Sequence, residues 1–345
     1  MKTIITGGAG FIGSNAAARY LARSGDVVLV DNLSRRGAAK NWEWLKRVQL
    51  ESGRGRLTLE QVDVRDAEGV LRAFRDHADV EVVLHLAAQV AVTTSIVDPR
   101  HDFEVNALGT FNVLEAARTL PRLRALITAS TNKVYGGMED VAVIERNGRY
   151  VYGALPNGVP ETQQLDFHSP YGCSKGTADQ YTVDYARIYD LPTVTFRQSC
   201  TYGPRQMGVE DQGWVAWFCI ALVTGKPLTF YGDGMQVRDV LYVDDLLDAY
   251  DHAIERIGRV KGQAFNMGGG PENVLGILET AQYIARRLGV PLHPQFEAWR
   301  AGDQRVFIAD ISKARRDLDW RPKVGAYEGV DRLIEWVVAN KELFE

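Results

Sequence analysis

The sequence predicts an α/β fold: a doubly wound parallel sheet with a smaller C-terminal α/β domain that takes the substrate. Three observations lead there. Short apolar runs alternate with longer stretches of helical period, a glycine turn follows the first run, and an acidic residue ends the second. The runs 2–6, 27–31, 57–63, 81–86, 124–130 and 193–197 are each followed by helix-like or turn-rich sequence, so successive βαβ units and six parallel strands are expected. The first run leads into Thr6-Gly-Gly-Ala-Gly-Phe-Ile-Gly13, with Gly8-x-Gly10-x-x-Gly13 in dinucleotide spacing and Gly7-x-x-Gly10-x-x-Gly13 as a second register. Glycine there permits a tight turn, close approach of backbone to a pyrophosphate, and packing of a helix that opens at Phe11. Asp31 stands 21 residues beyond Gly10, where it would accept hydrogen bonds from an adenosine ribose and repel a 2'-phosphate. NAD is therefore expected over NADP, with Arg35 and Arg36 near enough to soften the preference.

Composition narrows the class. With 345 residues, 46% hydrophobic and 24% charged, the chain is an ordinary globular one, long enough for one large domain and a companion. A formal net charge of -4 and scattered arginines argue against a nucleic-acid surface. Cys173, Cys200 and Cys219 have no CxxC spacing, so no disulfide framework, zinc cluster or other metal is expected. The N-terminus lacks a signal-peptide core and no 18-residue apolar stretch follows, which reads as cytoplasmic with no membrane partner. After Arg197 the alternation weakens, glycine and proline punctuate 202–204 and 225–227, and tryptophans appear at 214, 217, 299, 320 and 336. The expected division is a dinucleotide domain over 1–197, with 237–262 returning to it, and a substrate domain over 198–236 and 263–345. Residues 137–158 lack clear periodicity and read as an elaborated loop.

The chemistry centres on Tyr171-Gly-Cys-Ser-Lys175. A phenol and an ammonium four residues apart share a helix face, and Ser169-Pro170 reads as that helix's start. Tyrosine titrates near 10 unperturbed, so a phenol serving as base needs a nearby cation, which Lys175 is expected to supply. His85 ends an apolar run and reads as a hydrogen-bonded core residue rather than a ligand. Trp214 and Trp217, three apart, read as packing residues.

Thr6 to Gly13, Asp63-Val64, His85-Leu-Ala-Ala-Gln89, Asn106, Ser130-Thr-Asn-Lys-Val-Tyr-Gly136, Tyr171 to Lys175, Arg238-Asp239 and Asp244-Asp245 resemble, nearly end to end, the extended short-chain dehydrogenases/reductases with a Rossmann domain, the nucleotide-sugar epimerases and dehydratases. The resemblance implies a tightly held NAD regenerated at each turnover. It implies cofactor contacts from Gly7, Gly10, Phe11, Ile12, Gly13, Asp31, Asn32, Ser34, Arg35, Asp63, Val64, Leu86, Ala87, Ala88, Gln89, Asn106, Tyr171 and Lys175. Thr131, Tyr171 and Lys175 would be catalytic, with Thr131 on the sugar hydroxyl that is oxidised. Substrate contacts would come from Gln89, Asn132, Ser199, Arg205, Arg238 and Arg300, the arginines suiting a diphosphate by their planar fork. A homodimer through the helices near Asp98 and Ser169 is implied as well.

Dehydratases of this family read Thr-Asp-Glu-Val-Tyr where this chain has Thr131-Asn132-Lys133-Val134-Tyr135. An amide cannot donate a proton as a carboxylic acid does, and an ammonium cannot abstract one. Elimination thus loses its groups, which leaves oxidation and re-reduction of one carbon on its other face. With the strings 166–176 and 211–218, the loop resembles the CDP-paratose 2-epimerases, which implies a CDP-linked dideoxyhexose inverted at C2. Inversion at C4 of another nucleotide hexose, or simple dehydrogenation, are the alternatives.

Overall fold

A computed structural model describes residues 1–300 and 302–344. The chain divides into two compact units. The first comprises Met1–Thr131, Ser169–Arg197 and Ala249–Phe265. Its strands are β1 (Lys2–Thr6), β2 (Asp26–Val30), β3 (Leu57–Glu60), β4 (Val82–His85), β5 (Ala125–Thr131), β6 (Thr193–Gln198) and β7 (Gln263–Met267). They form a parallel sheet in the order β7-β6-β5-β4-β1-β2-β3, which agrees with the doubly wound expectation. Ile4, Ile5, Val82, Val83 and Leu84 are fully buried, as strands covered by helices on both faces must be.

The register matters more than the count. Thr6 lies opposite Val30 and His85, so the carboxyl ends of β1, β2 and β4 finish together, while His85 lies opposite Thr128 and β5 runs on to Thr131. Gly7, Asp31, Leu86 and the end of β5 therefore leave the sheet along one edge. The order reverses between β1 and β4, and ligands in open α/β sheets bind at that crevice.

Helix Phe11–Ala22 follows β1, and helix Ala67–Asp76 starts where the Asp66 carboxylate accepts from Gly69 N at 3.0 Å. Asp98 caps helix Pro99–Phe103 in the same way, accepting from His101 N at 3.0 Å with Pro99 at the first position. A π-helical turn, Glu104–Leu108, then interrupts the run before helix Gly109–Ala117. Such a turn adds a residue and re-aims a side chain, here that of Asn106. Helix Ser169–Tyr189 begins at the expected Ser169-Pro170, with Ser169 Oγ accepting from Gly172 N at 3.2 Å.

The second unit comprises Asn132–His168, Gln198–Asp248 and the stretch from Asn266 onward. Strand Val237–Tyr242 pairs in parallel with Cys200–Tyr202 and Val306–Phe307 and antiparallel with Val274–Gly276. Helices Ile277–Leu288 and Ala326–Ala339 pack against helix Trp214–Thr224.

Two stretches differ from the sequence expectation. Residues 132–168 belong to the second unit, and strand 237–242 stays there; only the later part of 237–262 returns to the first. The edge of the main sheet beside β6 is taken instead by β7, aligned by Gly262 N donating to Thr193 O at 2.7 Å. The 137–158 stretch contains an antiparallel hairpin, Val143–Arg146 with Arg149–Tyr152. Its turn is Asn147-Gly148, both left-handed at φ 54 and 71, the geometry that matches the twist of a two-residue hairpin.

Candidate active site

In the first unit, the glycine turn is held by its own backbone: Gly7 N donates to Val30 O at 2.9 Å and Gly10 N to Gly7 O at 3.0 Å. A Cβ on Gly7 would stand 2.7 Å from Ala87 N, and one on Gly13 2.3 Å from Gly7 O. Those two glycines let chain pack on chain. A Cβ on Gly10 would meet only Gly7 O at 3.1 Å, filling space above the start of helix Phe11–Ala22. That helix begins with no side-chain cap and no acidic residue in its first turn, so its first N–H groups suit an anion. The residues present thus fit the pyrophosphate of NAD. Ala87 N, Leu86 N and Ala88 follow β4, where Thr6 Oγ1 accepts from Leu86 N at 3.2 Å and holds the crossing in place.

Asp31 is buried at the end of β2, with Oδ2 accepting from Ala9 N at 2.9 Å and Oδ1 from Leu33 N at 2.8 Å. Burial raises its pKa and the two N–H groups lower it. Asn32 Nδ2 donates to Asp63 at 2.8 Å, while Ser34 donates through its own N and Oγ to Asn32 Oδ1 at 3.0 and 2.7 Å. Asp63 is drawn down to about 2, chiefly by the Arg65 guanidinium bonded to it. Val64, buried after β3, is fixed by Asn112 Nδ2 donating to its carbonyl at 2.9 Å.

The chemical pair is deeply set: Thr131, Tyr171 and Lys175 are 6%, 7% and 4% exposed. The phenol is pushed up to about 12 by burial, with the Thr131 hydrogen bond lowering it, Asp102 raising it and Arg35 lowering it. The cation acting on the phenol is thus Arg35. Lys175 Nζ donates to Ala129 O at 2.5 Å, and burial brings its ammonium down to about 8. The expected direct Tyr171–Lys175 charge coupling gives way because the lysine turns along its helix toward the end of β5.

Two predicted residues brace the site in a way the sequence did not suggest. Asn106 is 1% exposed; its Oδ1 accepts from Gln89 N at 2.9 Å and its Nδ2 donates to Gln89 O at 3.0 Å. Gln89 in turn donates through Nε2 to Asp102 at 2.7 Å and accepts from Ala91 N at 2.6 Å. Both amides are engaged in shaping the 86–91 loop. The hub is Asp102, fully buried and also accepting from Ser174 Oγ at 2.5 Å. Asp102 and Asn106 are a helical turn apart, and Ser174 precedes Lys175; that spacing was the available signal. Ser95 Oγ accepts from Tyr171 N at 3.1 Å, and Ser130 donates to Asp179 at 2.8 Å. His85 bridges Thr6 and Thr110 at 2.7 and 2.8 Å, and burial depresses it to about 3, a neutral core imidazole.

The second unit carries a polar cluster of its own. Arg238 donates to Asp303 at 2.7 Å and to the Gln304 carbonyl. Asn132 and Lys133 both reach Gln304 Oε1 at 3.4 Å, and Gln304 Nε2 donates to Gly136 O at 2.7 Å. Asp303 N donates to Arg300 O at 3.2 Å, placing Arg300 on the same turn; its guanidinium lies 3.7 Å over the Tyr231 ring and 2.7 Å from Asp211. Ser199 Oγ donates to Asp239 O at 3.4 Å. Arg205 departs from this grouping. It is 9% exposed, left-handed at φ 67, and lies 5.7 Å over the Trp336 ring. Trp214 packs edge-on against Phe218 and donates to Cys200 Sγ at 3.4 Å. Among the described residues no group of three or more His, Cys, Asp or Glu could hold a metal ion, and no helix is long and apolar enough to cross a membrane.

The profile of the family named GDP-mannose 4,6 dehydratase matches residues 4–333. The chain belongs to that family. This family member is 45% identical to the CDP-paratose 2-epimerase of Salmonella typhi over 97% of its own length and 99% of the relative's. It is 34% identical to the UDP-glucose 4-epimerase of Mycolicibacterium smegmatis, covering 97% and 98%. Among solved structures, the Thermus thermophilus UDP-glucose 4-epimerase complex with NAD superposes with a TM-score of 0.79 at 32% identity, covering 97% and 98%. The Thermotoga maritima UDP-glucose 4-epimerase with UDP-glucose superposes with a TM-score of 0.83 at 30% identity, covering both chains fully at 100%. The family member is an NAD-dependent nucleotide-sugar epimerase.

Proposed function

We propose that this epimerase inverts C2 of a CDP-linked dideoxyhexose, converting CDP-paratose to CDP-tyvelose. The observation that carries the reading is the loop after β5: Thr131 is followed by Asn132 and Lys133, both turned onto Gln304, where elimination would require an acid and a carboxylate base. The 45% identity to a CDP-paratose 2-epimerase supports the choice of carbon and nucleotide.

Thr131 and Tyr171 share the sugar hydroxyl in this reading, the threonine fixing its oxygen and the phenol taking its proton. NAD held there would supply a hydride acceptor and donor for that carbon and a cationic ring that favours the phenolate. Tyr171 then gives the proton back once the 2-keto sugar has turned its other face. Lys175 holds the nicotinamide ribose, and the Arg35 guanidinium steadies the phenolate between the two halves of the reaction. Gly7, Gly10, Phe11, Ile12 and Gly13 hold the pyrophosphate and Asp31 the adenosine ribose, while Arg238 and Arg300 take the substrate diphosphate. Each turnover would leave the cofactor in its starting oxidation state, so no exchange of NAD would be needed.

Incubation with CDP-paratose should give CDP-tyvelose by NMR, with no deuterium entering C2 from heavy water. Inversion at C4 of UDP-glucose with CDP-paratose untouched would move the enzyme to the 4-epimerases.

A homodimer completes the proposal. Phe103, Phe111, Tyr181 and Ile188 are 55%, 39%, 46% and 60% exposed on the first unit's helices, an apolar area suited to a second copy. Sedimentation at micromolar concentration should report twice the chain mass; a monomer would remove the assignment.

A further inference from the structure

We propose that Lys133 is a substrate-binding residue that meets the sugar-bearing phosphate of the nucleoside diphosphate, a role set by oxidation at C2. The inference rests on the C2 reading above. Its chemistry is simple: C2 is joined to the anomeric carbon, so the second phosphorus lies three bonds from the carbon being oxidised, whereas C4 lies across the ring. A site that grips the C2 hydroxyl must therefore find a cation for that phosphate close to the residue holding the hydroxyl. Lys133 is two residues after Thr131, and two residues span at most about 7 Å of chain.

The second unit prepares the lysine for an anion. Lys133 Nζ donates to Gly302 O at 3.3 Å and to Gln304 Oε1 at 3.4 Å, and stands 3.9 Å from Asp303 Oδ1. The same Asp303 oxygen is held at 2.7 Å by Arg238, so one carboxylate is divided between two cations. Arg238 has the closer, hydrogen-bonded share; Lys133 has the longer one and keeps 21% of its side chain exposed. A phosphate oxygen in reach of Lys133 would complete the balance of charge. Burial lowers the ammonium to about 8, with Asp303 raising it, Arg238 lowering it and the Cys200 thiol raising it. The cation therefore exists below that pH and is lost as pH rises through it.

The test uses NAD-loaded full-length protein, with CDP and CMP as probes in calorimetry. Lys133→Gln keeps a donor toward Gly302 and Gln304 without the charge. It should weaken CDP about tenfold to a hundredfold, the range for a charge-assisted hydrogen bond, and leave CMP within about threefold. Lys133→Arg should restore most of the CDP affinity. Wild-type CDP affinity should fall above about pH 8, and that fall should be absent in Lys133→Arg. CDP binding by Lys133→Gln within twofold of wild type, or equal losses for CDP and CMP, would overturn the proposal. Wild-type turnover of CDP-paratose is scored separately, so an inactive wild type sinks the C2 reading while the CDP and CMP comparison judges the lysine.

Discussion

Tyr171→Phe should lower turnover by roughly 10²–10⁴-fold, the size of a lost general acid-base group. NAD content and thermal midpoint should stay near wild type. The ring is 7% exposed and phenylalanine keeps its volume, while the Tyr171 N bond to Ser95 Oγ belongs to the backbone and survives the change. What disappears is the hydroxyl bonded to Thr131, the only atom that the substitution removes. NMR of the sugar product, with NAD measured in the denatured protein, checks both halves. Activity within tenfold of wild type would remove Tyr171 from the proton transfer.

Asp179→Ala should cost about 3–5 kcal/mol of stability, because it strands a buried guanidinium. Asp179 and Arg197 are 0% and 6% exposed, and the fork is bidentate, Nε to Oδ2 and NH2 to Oδ1, both at 2.9 Å. Ser130 donates to the same carboxylate at 2.8 Å, so the end of β5 loosens with it. Chemical denaturation reads the loss directly. The double change Asp179→Leu with Arg197→Met should recover most of it, since a packed apolar pair has no charge to leave stranded. A single-variant cost under about 1 kcal/mol would show that water reaches the pair.

Much of the fold was legible, and for identifiable reasons. Alternation of apolar runs with helical stretches reports parallel strands because both faces of such a sheet are covered. The glycines at 7 and 13 were legible because close backbone approaches exclude a Cβ, and Ser169-Pro170 announced a helix start through its capping chemistry. Asn147-Gly148 was a readable hairpin signal that the lack of periodicity around it obscured. The assignment of 237–242 went astray because a buried strand reads the same in either sheet; only pairing partners decide. Asn106 and Gln89 were placed in the site but not in their bracing role, since the direction of an amide depends on neighbours 17 residues away.

The sequence by itself determined the chemical vocabulary: a dinucleotide turn, a tyrosine and lysine on one helix, and a loop whose Asn132-Lys133 lacks an acid and a base. Spacing is enough for these, because each is a local pattern of a few residues. Tertiary structure decided how the groups are tuned. Arg35 rather than Lys175 acts on the phenol, Asp102 gathers Gln89, Asn106 and Ser174, and Asp303 is shared by Arg238 and Lys133. Charge and hydrogen bonding act through space, mostly between residues far apart in the chain, and burial sets their strength, so local spacing such as that of Asp102 and Asn106 hints at a contact without giving its partners or its strength.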